Sequence, residues 1–597
     1  MGLFWHFVNL ATDAEKQRRR DLLDLYSSVA QASVAVPLLT IQLYFFSSWV
    51  IKKWRKAADE EDPPSSPYMK HERAREQSRT WKLRGAFRRL VWWAGERVDV
   101  FGYDLGKRGE TLVAAGWMVW LLFLSVSQTG DDYLHLTKRF GIVGASQLPL
   151  HYLLALKSPL SPLQYLTGLS HSDLNIFHQL LGRLVTVLFY AHSVLYLNFF
   201  IQSNLLAKRI RNRDVLLGLT AITCFTLIGT TALGFLRRWN YRVFYTTHVV
   251  LATALLPVLY YHVHHIRIYV YEVAAIYLVQ SLLRYVTTAT YPASLIPVPG
   301  TNLLQIRVPL DSRSLRTRWS QAHYHPGQHV YAALPAPYPR LLRNLRTNPF
   351  TIANLPHRDR ELRLVARVLD GNTRRLAALG ASNKTTVPVV LEGPYGPADH
   401  LSTLLTCDRI LLVAGGVGAT FTIPLYRALC AAAEARGDRA ARRRVRVVWA
   451  VRSAAETAWA LPPDAGARER KAFEEDVEVY VTRGRVGDGM VEPSGARATP
   501  PPPTHTADDI ELGPQEHEGL LTSRPDQPHA AEPLSTIRYS RPDLHSIVSE
   551  TFAGGSGETV AAVVCRPVGL SSALRREVGR WVGRGREVIW WAEEFGW

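Results

Sequence analysis

Four histidines inside two apolar stretches constrain this chain more than any other feature. His178 and His192 lie fourteen positions apart in IFHQLLGRLVTVLFYAHSVLYL, and His248 and His262 repeat that spacing in VFYTTHVVLATALLPVLYYHV. Fourteen helical residues make nearly four turns and about 21 Å of rise, so the two histidines of a pair share one helix face. Each helix would therefore place one histidine near each edge of a hydrocarbon core about 30 Å thick.

Two such helices side by side would form two stacked pairs of imidazoles. Ionisable groups inside a membrane are costly, so a matched set of four indicates a functional site. Two bis-imidazole sites suit two six-coordinate b-type haems and an electron path across the bilayer. For any single histidine the alternative is a hydrogen bond to a neighbouring helix, but the repeated spacing favours haem. His264 and His265 compete with His262, yet they fall about 160° and 100° off the face set by His248.

The apolar stretches divide the chain near residue 290 into a membrane half and a soluble half. Seven membrane spans are predicted, at 27–51, 111–129, 140–157, 176–200, 215–236, 243–263 and 266–288. The stretch at 140–157 is the weakest of these because it is short and contains Pro149 and His151. The four cysteines have no CxxC spacing, so neither a disulfide framework nor a cysteine metal site is indicated.

The basic residues predict the orientation of the spans. The region 52–110 is rich in Arg and Lys, and Arg237 and Arg238 close the fifth span, so both belong in the cytosol. This puts the N-terminus outside, the first histidine of each pair near the cytosol and the second near the outer face. The basic stretch at 207–213 opposes this arrangement. The net charge of +19 is interpreted as Arg and Lys facing anionic membrane lipid, and not as a nucleic-acid site, because no DNA-reading motif accompanies it.

The soluble half contains a glycine turn between a predicted strand and a predicted helix. In RILLVAGGVGATFTIPL, Gly415, Gly416, Gly418 and Thr420 lie where backbone N–H groups can approach a pyrophosphate, although a tight structural turn would look the same. Upstream, NPFTIAN and LEGPYGP are candidate binding loops or simple barrel-edge loops. Residues 496–540 are rich in Pro, Thr, Glu and Asp and predict a disordered insertion.

The order of these motifs carries a family resemblance. HPGQHV, NPFT, LEGPYG, AGGVGAT, a Cys-x-Pro and a terminal aromatic resemble the ferredoxin–NADP reductase superfamily. Joined to the histidine helices, the chain from about 140 to 597 resembles the fungal ferric-chelate reductases, relatives of the NADPH oxidases. The resemblance implies an α-helical transmembrane haem bundle, an FAD-binding β-barrel and an NADPH-binding α/β domain. The corresponding boundaries are 1–110 for the N-terminal span and basic cytosolic loop, 111–290 for the haem domain, 291–405 for the barrel and 406–597 for the α/β domain.

The resemblance also implies roles for individual residues. The haem ligands would be His178, His192, His248 and His262. FAD would be bound by His325, Pro326, Gly327, Gln328, His329, Pro349, Phe350 and Thr351, with Arg343 or Arg346 near its phosphates, and Gly393, Tyr395 and Gly396 would lie at the flavin–nicotinamide junction. NADPH would be bound by Gly415, Gly416, Gly418 and Thr420 at the pyrophosphate and by Arg452 at the 2′-phosphate, where a solvated arginine is the alternative. Cys565 would lie beside the nicotinamide C4 and Trp597 would cover the flavin; Arg183 would pair with a haem propionate or a lipid headgroup.

Three features depart from the family pattern. Asn348 stands where the family usually has a histidine before PFT, and Arg566 stands where it has a glycine between Cys and Pro. An extended extracytosolic N-terminal region, present in many relatives, is also expected to be lacking. The first two departures bear on cofactor affinity and remove no redox centre.

The function implied is a transmembrane metalloreductase. Electrons would pass from cytosolic NADPH through FAD and two haems to extracytosolic ferric chelates, with cupric chelates as a second substrate class. The alternatives are a superoxide-producing NADPH oxidase and a non-catalytic membrane haem protein. The expected location is the plasma membrane, with the vacuolar membrane as the alternative, and a metal permease is an expected downstream partner.

Overall fold

The computed structural model describes most of the chain in fourteen ranges. These are residues 5–61, 78–100, 103–157, 161–310, 324–335, 347–369, 371–382, 386–396, 400–437, 444–461, 465–482, 537–555, 558–565 and 567–593. In chain order they form a helical membrane half, an antiparallel barrel and a parallel α/β domain. The predicted architecture is therefore confirmed.

The membrane half is helical, with one antiparallel β-hairpin before its second long apolar helix. Its helices are α1 (Asp13–Ala32), α2 (Ala35–Glu61), α3 (Ser78–Ala94), α4 (Arg108–Val126), α5 (Tyr133–Ser146), α6 (Leu148–Leu154), α7 (Pro162–Thr167), α8 (His171–Gln202), α9 (Leu206–Arg209), α10 (Arg213–Thr231), α11 (Gly234–Trp239), α12 (Tyr241–His262) and α13 (Arg267–Thr287). The hairpin consists of β1 (Arg97–Val100) and β2 (Tyr103–Lys107) and lies between α3 and α4.

Among the described residues, six segments are long and apolar enough to cross a membrane. They are Asp13–Ile51, Arg108–Val126, His171–Gln202, Arg213–Thr231, Tyr241–His262 and His264–Thr287. The seventh predicted span, 140–157, is not among them, because the chain there forms two shorter helices, α5 and α6, that meet at Gln147. Pro149 lies in the first turn of α6, because proline is tolerated there and cannot continue α5.

Local sequence explains where the two histidine helices begin. α8 starts after Ser170, whose hydroxyl accepts from the backbone N–H of Asp173 while the Asp173 carboxylate accepts from Ser170 in return. α12 starts after Asn240, whose side-chain oxygen accepts from the backbone N–H groups of Arg242 and Val243. α10 packs against both α8 and α12 and so sets their separation.

The barrel follows α13 without a linker. Its strands are β3 (Thr288–Pro297), β4 (Leu303–Pro309), β5 (His329–Ala333), β6 (Asn348–Thr351), β7 (Glu361–Arg367) and β8 (Val387–Tyr395), and its helices are α14 (Pro356–Asp359) and α15 (Asn372–Ala381). All pairings are antiparallel, in the order β6-β5-β8-β3-β4-β7. A bridge between Ile352 and Leu364 joins the two edges, so the apolar faces of the strands enclose a common core.

The last unit is a parallel sheet covered by helices. Its elements are α16 (His400–Leu404), β9 (Arg409–Gly415), α17 (Ala419–Ala435), β10 (Val445–Val451), α18 (Ala467–Asp476), β11 (Val477–Val481), β12 (Ile537–Arg538), α19 (Leu544–Thr551), β13 (Thr559–Cys565), α20 (Val568–Gly583) and β14 (Glu587–Glu593). The strand order is β12-β11-β10-β9-β13-β14. Most of the predicted insertion at 496–540 falls outside the described residues, but its end is wrong, because Ile537 and Arg538 pair with β11.

Candidate functional site

The four predicted haem ligands do not share one hydrogen-bonding arrangement. In three of them the ring Nδ1 lies within hydrogen-bond distance of a backbone carbonyl on another helix. The pairs are His178 with the carbonyl of His151 at 2.9 Å, His192 with Thr137 at 2.8 Å and His262 with Asp214 at 2.7 Å. Because a carbonyl only accepts, Nδ1 must carry the proton in each ring, and the Nε2 lone pair stays free. This is the tautomer that a metal-binding histidine needs.

Two of these carbonyls are accessible because a glycine follows them by four residues. Gly141 lies one turn after Thr137 in α5, and Gly218 lies one turn after Asp214 in α10. A Cβ on Gly141 would lie 2.7 Å from Nδ1 of His192, and a Cβ on Gly218 would lie 2.8 Å from Cε1 of His262. Any larger residue would therefore occupy the space of the imidazole. Sequence reasoning missed this spacing, although the glycines were visible in it.

His178 is held differently, by a fifth histidine. The His151 ring stacks on the His178 ring at a centroid distance of 4.0 Å and an interplanar angle of 13°. Nε2 of His151 lies 3.1 Å from the carbonyl of His178, so each histidine side chain bonds to the other's backbone. The His151 carbonyl lies in the last turn of the short helix α6, where carbonyls lack helical partners. Sequence analysis had noted His151 only as a weakness in a predicted span.

The first pair has the spacing expected of two ligands to one metal. The ring centroids of His178 and His248 lie 6.1 Å apart with their planes at 66°. Two imidazoles bound to one metal through nitrogens about 2 Å away place their centroids roughly 6 Å apart. His248 differs from the other three because its buried Nδ1 has no hydrogen-bond partner among the described residues. The residues present therefore fit a bis-histidine haem at this level.

A large open cavity surrounds the first pair and reaches the soluble half. Its volume is about 3120 Å³, and its lining includes His178, His248, Arg183, His400 and Trp591. Pockets for single small ligands measure about 300–1,000 Å³, so this space accommodates more than one cofactor-sized group. Arg183 is exposed into it, as a propionate or headgroup partner would be. His178 and His248 therefore belong to the level nearest the barrel and the α/β domain.

Strand pairing brings the predicted flavin motifs together. Within the barrel, β5 lies between β6 and β8, so that His329 is opposite Thr351 on one side and Tyr395 on the other. Gln328 fixes the turn before β5: its Oε1 accepts from the backbone of His325, and its Nε2 donates to the carbonyl of Gly396 at 3.0 Å. The three motifs HPGQHV, NPFT and LEGPYG thus form one edge of the barrel.

The electrostatics of this edge are set by burial. Burial and, to a smaller extent, the nearby charge of Lys157 lower the pKa of His329 to about 4, so the imidazole is neutral at physiological pH. Burial also lowers the pKa of Lys157, to about 8, with the charge of Arg284 acting in the same direction. The Lys157 ammonium lies 5.1 Å from the centroid of the Tyr331 ring. A lysine from the membrane half therefore lies against the predicted flavin edge.

An ion pair fixes the barrel to the last membrane helix. Arg284 of α13 donates to both carboxylate oxygens of Glu392 in β8, at 2.7 and 2.8 Å. Both side chains are largely buried, and the Tyr395 hydroxyl donates to the same carboxylate. Such a two-point bond holds orientation as well as distance. Neither Lys157 nor this pair had a signal in the sequence, because their partners are far away along the chain.

The predicted glycine turn has the expected geometry and meets the barrel. Gly416–Gly418 form a short 3₁₀ turn between β9 and α17, as predicted. A Cβ on Gly418 would lie 2.4 Å from the backbone oxygen of Cys565, so the turn packs directly against the end of β13. Gly327 of the flavin edge contacts Phe421 in the first turn of α17, where a Cβ would lie 2.9 Å from the ring. The predicted flavin and nucleotide motifs are therefore adjacent.

The remaining predicted residues lie at strand ends, in the glycine turn or outside the described residues. Cys565 is fully buried at the end of β13, and Arg452 is exposed just after β10. The hydroxyl of Thr420 donates to the carbonyl of Val417 within the turn. Arg343, Arg346, Arg566 and Trp597 lie outside the described residues. Arg367, which approaches Gly416 from β7 with its guanidinium, was not predicted.

Comparison with known protein families gives matches in the membrane half, the barrel and the α/β domain. A ferric reductase like transmembrane component matches residues 140–259, an FAD-binding domain matches 289–399, and a ferric reductase NAD binding domain matches 407–579. Together they cover about two thirds of the chain. The FAD-binding match coincides with the barrel, and the NAD-binding match coincides with most of the α/β domain.

Individual relatives agree with these matches over part of their length. A probable ferric reductase transmembrane component of Eremothecium gossypii is 29% identical over 328 residues, which is 50% of this chain and 45% of the relative. A probable metalloreductase of Yarrowia lipolytica is 27% identical over 61% of this chain and 62% of its own length. A probable cell surface ferric reductase of Aspergillus oryzae is 26% identical over 54% of this chain and 44% of its own. The chain thus spans about half the length of the curated relatives it matches. The chain is an integral membrane protein in which a ferric reductase like transmembrane component is followed by an FAD-binding domain and a ferric reductase NAD binding domain.

Proposed function

We propose that this protein is a transmembrane metalloreductase that transfers electrons from cytosolic NADPH to ferric chelates on the other side of the membrane, with cupric chelates as a second substrate class. One observation carries the proposal. Imidazoles with a free Nε2 lie at two levels on helices separated by α10, and the first level opens into the cavity beside the FAD-binding barrel. Electrons need such a stack of sites because the hydrocarbon core itself offers none.

The residues that would hold the cofactors follow from their positions. The inner haem would be held by His178 and His248, and the outer haem by His192 and His262. FAD would lie along the barrel edge formed by His325–His329, Pro349–Thr351, Gly393, Tyr395 and Gly396. NADPH would lie on the turn Gly415–Gly418 and on Thr420, with Arg452 at its 2′-phosphate. Cys565 and Trp597 would lie where the nicotinamide meets the flavin. When bound, these groups supply hydride acceptance from the nicotinamide and single-electron transfer across the bilayer.

The protein's own contribution is orientation and tautomer control. The carbonyls of His151, Thr137 and Asp214 hold Nδ1 protonated and keep Nε2 directed away from them. The Arg284–Glu392 pair keeps the barrel edge facing the cavity, and Gln328 keeps its turn closed. The contact of Gly418 with Cys565 places the nucleotide turn beside the predicted nicotinamide position. No side chain is required to move a proton in this scheme.

The membrane and the partners are part of the proposal. The named cell surface ferric reductase of Aspergillus oryzae favours the plasma membrane over the vacuolar membrane. The acceptor side would then be extracellular, and a metal permease would take up the reduced ion. The basic residues of 52–110 support placing the soluble domains in the cytosol.

The test is NADPH-driven reduction of a ferric chelate by membranes that contain the full chain, with and without superoxide dismutase. The variant His192→Ala removes one outer ligand. His264→Ala is the matched control, because His264 is an exposed histidine just beyond the end of α12. We expect dismutase-insensitive Fe(II) formation that His192→Ala abolishes and His264→Ala leaves intact.

Three other outcomes would contradict the proposal. Activity that dismutase abolishes would make oxygen the acceptor and the protein a superoxide-producing oxidase. Purified protein that contains haem but no flavin by absorbance would make it a non-catalytic membrane haem protein. Fe(II) formation that persists in His192→Ala would show that the outer histidine level carries no electrons.

A further inference from the structure

Helix α3, between the first and second long apolar segments, docks on the NAD-binding domain with one face. The Trp92 ring packs edge-on against Trp590 of β14 at 5.7 Å. The Arg575 guanidinium of α20 lies 4.2 Å from the Trp92 ring centroid and donates to the Trp92 carbonyl at 2.8 Å. One turn earlier, Arg88 donates to the Glu587 carboxylate at 3.1 Å. This set of contacts, here called the docking face, joins residues almost five hundred positions apart.

The C-terminal end of α3 is held at the entrance of a membrane span. The backbone and side chain of Ala94 lie against Gly109, in the first turn of α4. The guanidinium of Arg108, the first residue of α4, lies 5.2 Å from the centroid of the Trp93 ring. Because α4 is one of the six apolar segments long enough to cross the membrane, the end of α3 lies at the level where that span begins.

Four apolar side chains near the C-terminal end of α3 are largely exposed. Phe87, Leu90, Val91 and Trp93 are 57%, 56%, 53% and 45% exposed. Phe87 and Val91 also line the cavity around the first histidine pair, whereas Leu90 and Trp93 do not. We call these four residues the apolar patch. Leu112 and Val113 of α4, just past the Ala94–Gly109 contact, are exposed to a similar degree, so the patch is next to a lipid-facing surface.

The charge of α3 indicates what covers the patch. The helix SRTWKLRGAFRRLVWWA contains five Arg and Lys residues and no Asp or Glu. A helix with aromatic and aliphatic residues on one side and basic residues around them is typical of helices that lie in the headgroup region of anionic membranes. In water, a contiguous patch of this kind would favour aggregation. Positive charge together with the adjacent span favours an anionic bilayer over a second protein surface.

We propose that α3 is an interfacial membrane helix that attaches the NAD-binding domain to an anionic lipid surface. The apolar patch inserts among the lipid headgroups while the docking face holds α20 and β14. The domain is thereby kept beside the cavity that contains the first histidine pair. Lipid composition then affects how firmly this domain is docked.

The first test locates the patch relative to the bilayer. A fluorophore is attached at Leu90→Cys in the full chain, in a background where Cys224 and Cys430 are serine and the buried Cys407 and Cys565 are kept. The protein is placed in lipid discs of phosphatidylcholine with or without phosphatidylserine. The matched control is the same label at Tyr539→Cys, a residue of the NAD-binding domain that is 72% exposed and far from α3 in sequence.

We expect doxyl-labelled lipid to quench the Leu90 label and aqueous iodide to leave it nearly unaffected, with the reverse for the Tyr539 label. Lipid quenching at Leu90 should be stronger when phosphatidylserine is present. Quenching by iodide alone would overturn the proposal, because the patch would then face solvent. Shielding from both quenchers that depends on protein concentration would also overturn it, in favour of contact between copies of the chain.

The second test separates the two faces by hydrogen exchange of the peptides that cover α3 and α20. Trp92→Ala should increase exchange in α20 and leave lipid quenching at Leu90 unchanged. Arg89→Glu, at an exposed position outside the docking face, should increase α3 exchange about fivefold in discs with phosphatidylserine, since one basic residue at such a surface contributes about that factor. Exchange in α3 that is the same in both lipid compositions would refute the electrostatic part of the proposal.

Discussion

The substitution Gly218→Ala tests whether an absent side chain is what allows the second haem level to form. A Cβ at this position would lie 2.8 Å from Cε1 of His262, whereas carbon atoms in contact prefer about 3.5 Å or more. The ring must therefore retreat by roughly 0.7 Å. A retreat of that size lengthens the 2.7 Å bond from Nδ1 to the Asp214 carbonyl to about 3.4 Å, beyond the range of a hydrogen bond.

The matched control is Gly116→Ala in the membrane helix α4, where nothing lies within 4 Å of the new Cβ and the residue does not line the cavity. Both substitutions gain the same helix propensity of about 1 kcal/mol, so this gain cancels in the comparison. What remains for Gly218→Ala is overpacking, about 1–3 kcal/mol, and the loss of a buried hydrogen bond, about 1 kcal/mol. The difference between the two variants should be about 2–4 kcal/mol.

The assay is haem content per polypeptide by the pyridine haemochrome method, together with the midpoint of thermal unfolding in the same detergent. Gly116→Ala should retain two haems and unfold at the same temperature as the unaltered protein or slightly higher. Gly218→Ala should lose about half of its haem and unfold at a lower temperature. If Gly218→Ala retains both haems and unfolds with the control, then the space beside His262 is not needed for haem binding, and the reasoning fails.

Three further predictions concern the soluble domains. Gly418→Ala places a Cβ against the Cys565 backbone oxygen, so the glycine turn must shift and binding of 2′,5′-ADP should weaken at least tenfold in an isothermal titration. Undiminished binding would show that the turn tolerates a side chain. Burial alone would raise the pKa of Asp359, but the hydrogen bonds and charge of Arg427 lower this pKa on balance, so the pair stabilises the fold above the unfolded value near 4 and loses that stabilisation as the pH falls below it. Asp359→Asn should therefore lower the free energy of unfolding by about 3–5 kcal/mol at pH 7 and flatten the fall of stability in acid. An unchanged fall of stability in acid would contradict this account. Burial raises the pKa of the Cys407 thiol to about 11, so maleimide at pH 8 should not modify Cys407 until denaturant is added, as followed by peptide mass mapping. Rapid labelling of the native protein would show that the site opens.

Sequence periodicity predicted the four histidines of the proposed electron path but not how their rings are held. The fourteen-residue spacing depends only on helix geometry, so it was visible without a fold. The carbonyls of Thr137 and Asp214 that orient two of the ligands come from other helices, 55 and 48 positions away. Their signature, a glycine one turn later, becomes meaningful only when the facing histidine is known. His151 was similarly visible and could not be assigned.

The interruption of the predicted span 140–157 has a related cause. Hydropathy counts apolar residues over a window and does not register that Pro149 starts a new helix. α5 and α6 are short helices whose carbonyls face the histidines of α8. The His151 carbonyl is available to His178 because α6 ends at Leu154, so this carbonyl has no partner within the helix.

By itself the sequence determined the class of the protein: a membrane half with two matched histidine pairs, then barrel and α/β motifs in a recognisable order. These features are local or periodic, so each is encoded in a short stretch of chain. Tertiary structure alone decided the attachments between the parts, namely Arg284 with Glu392, Lys157 against the flavin edge and α3 on α20. Each of these joins residues more than a hundred positions apart, and such contacts depend on how complete elements pack, which no local pattern records.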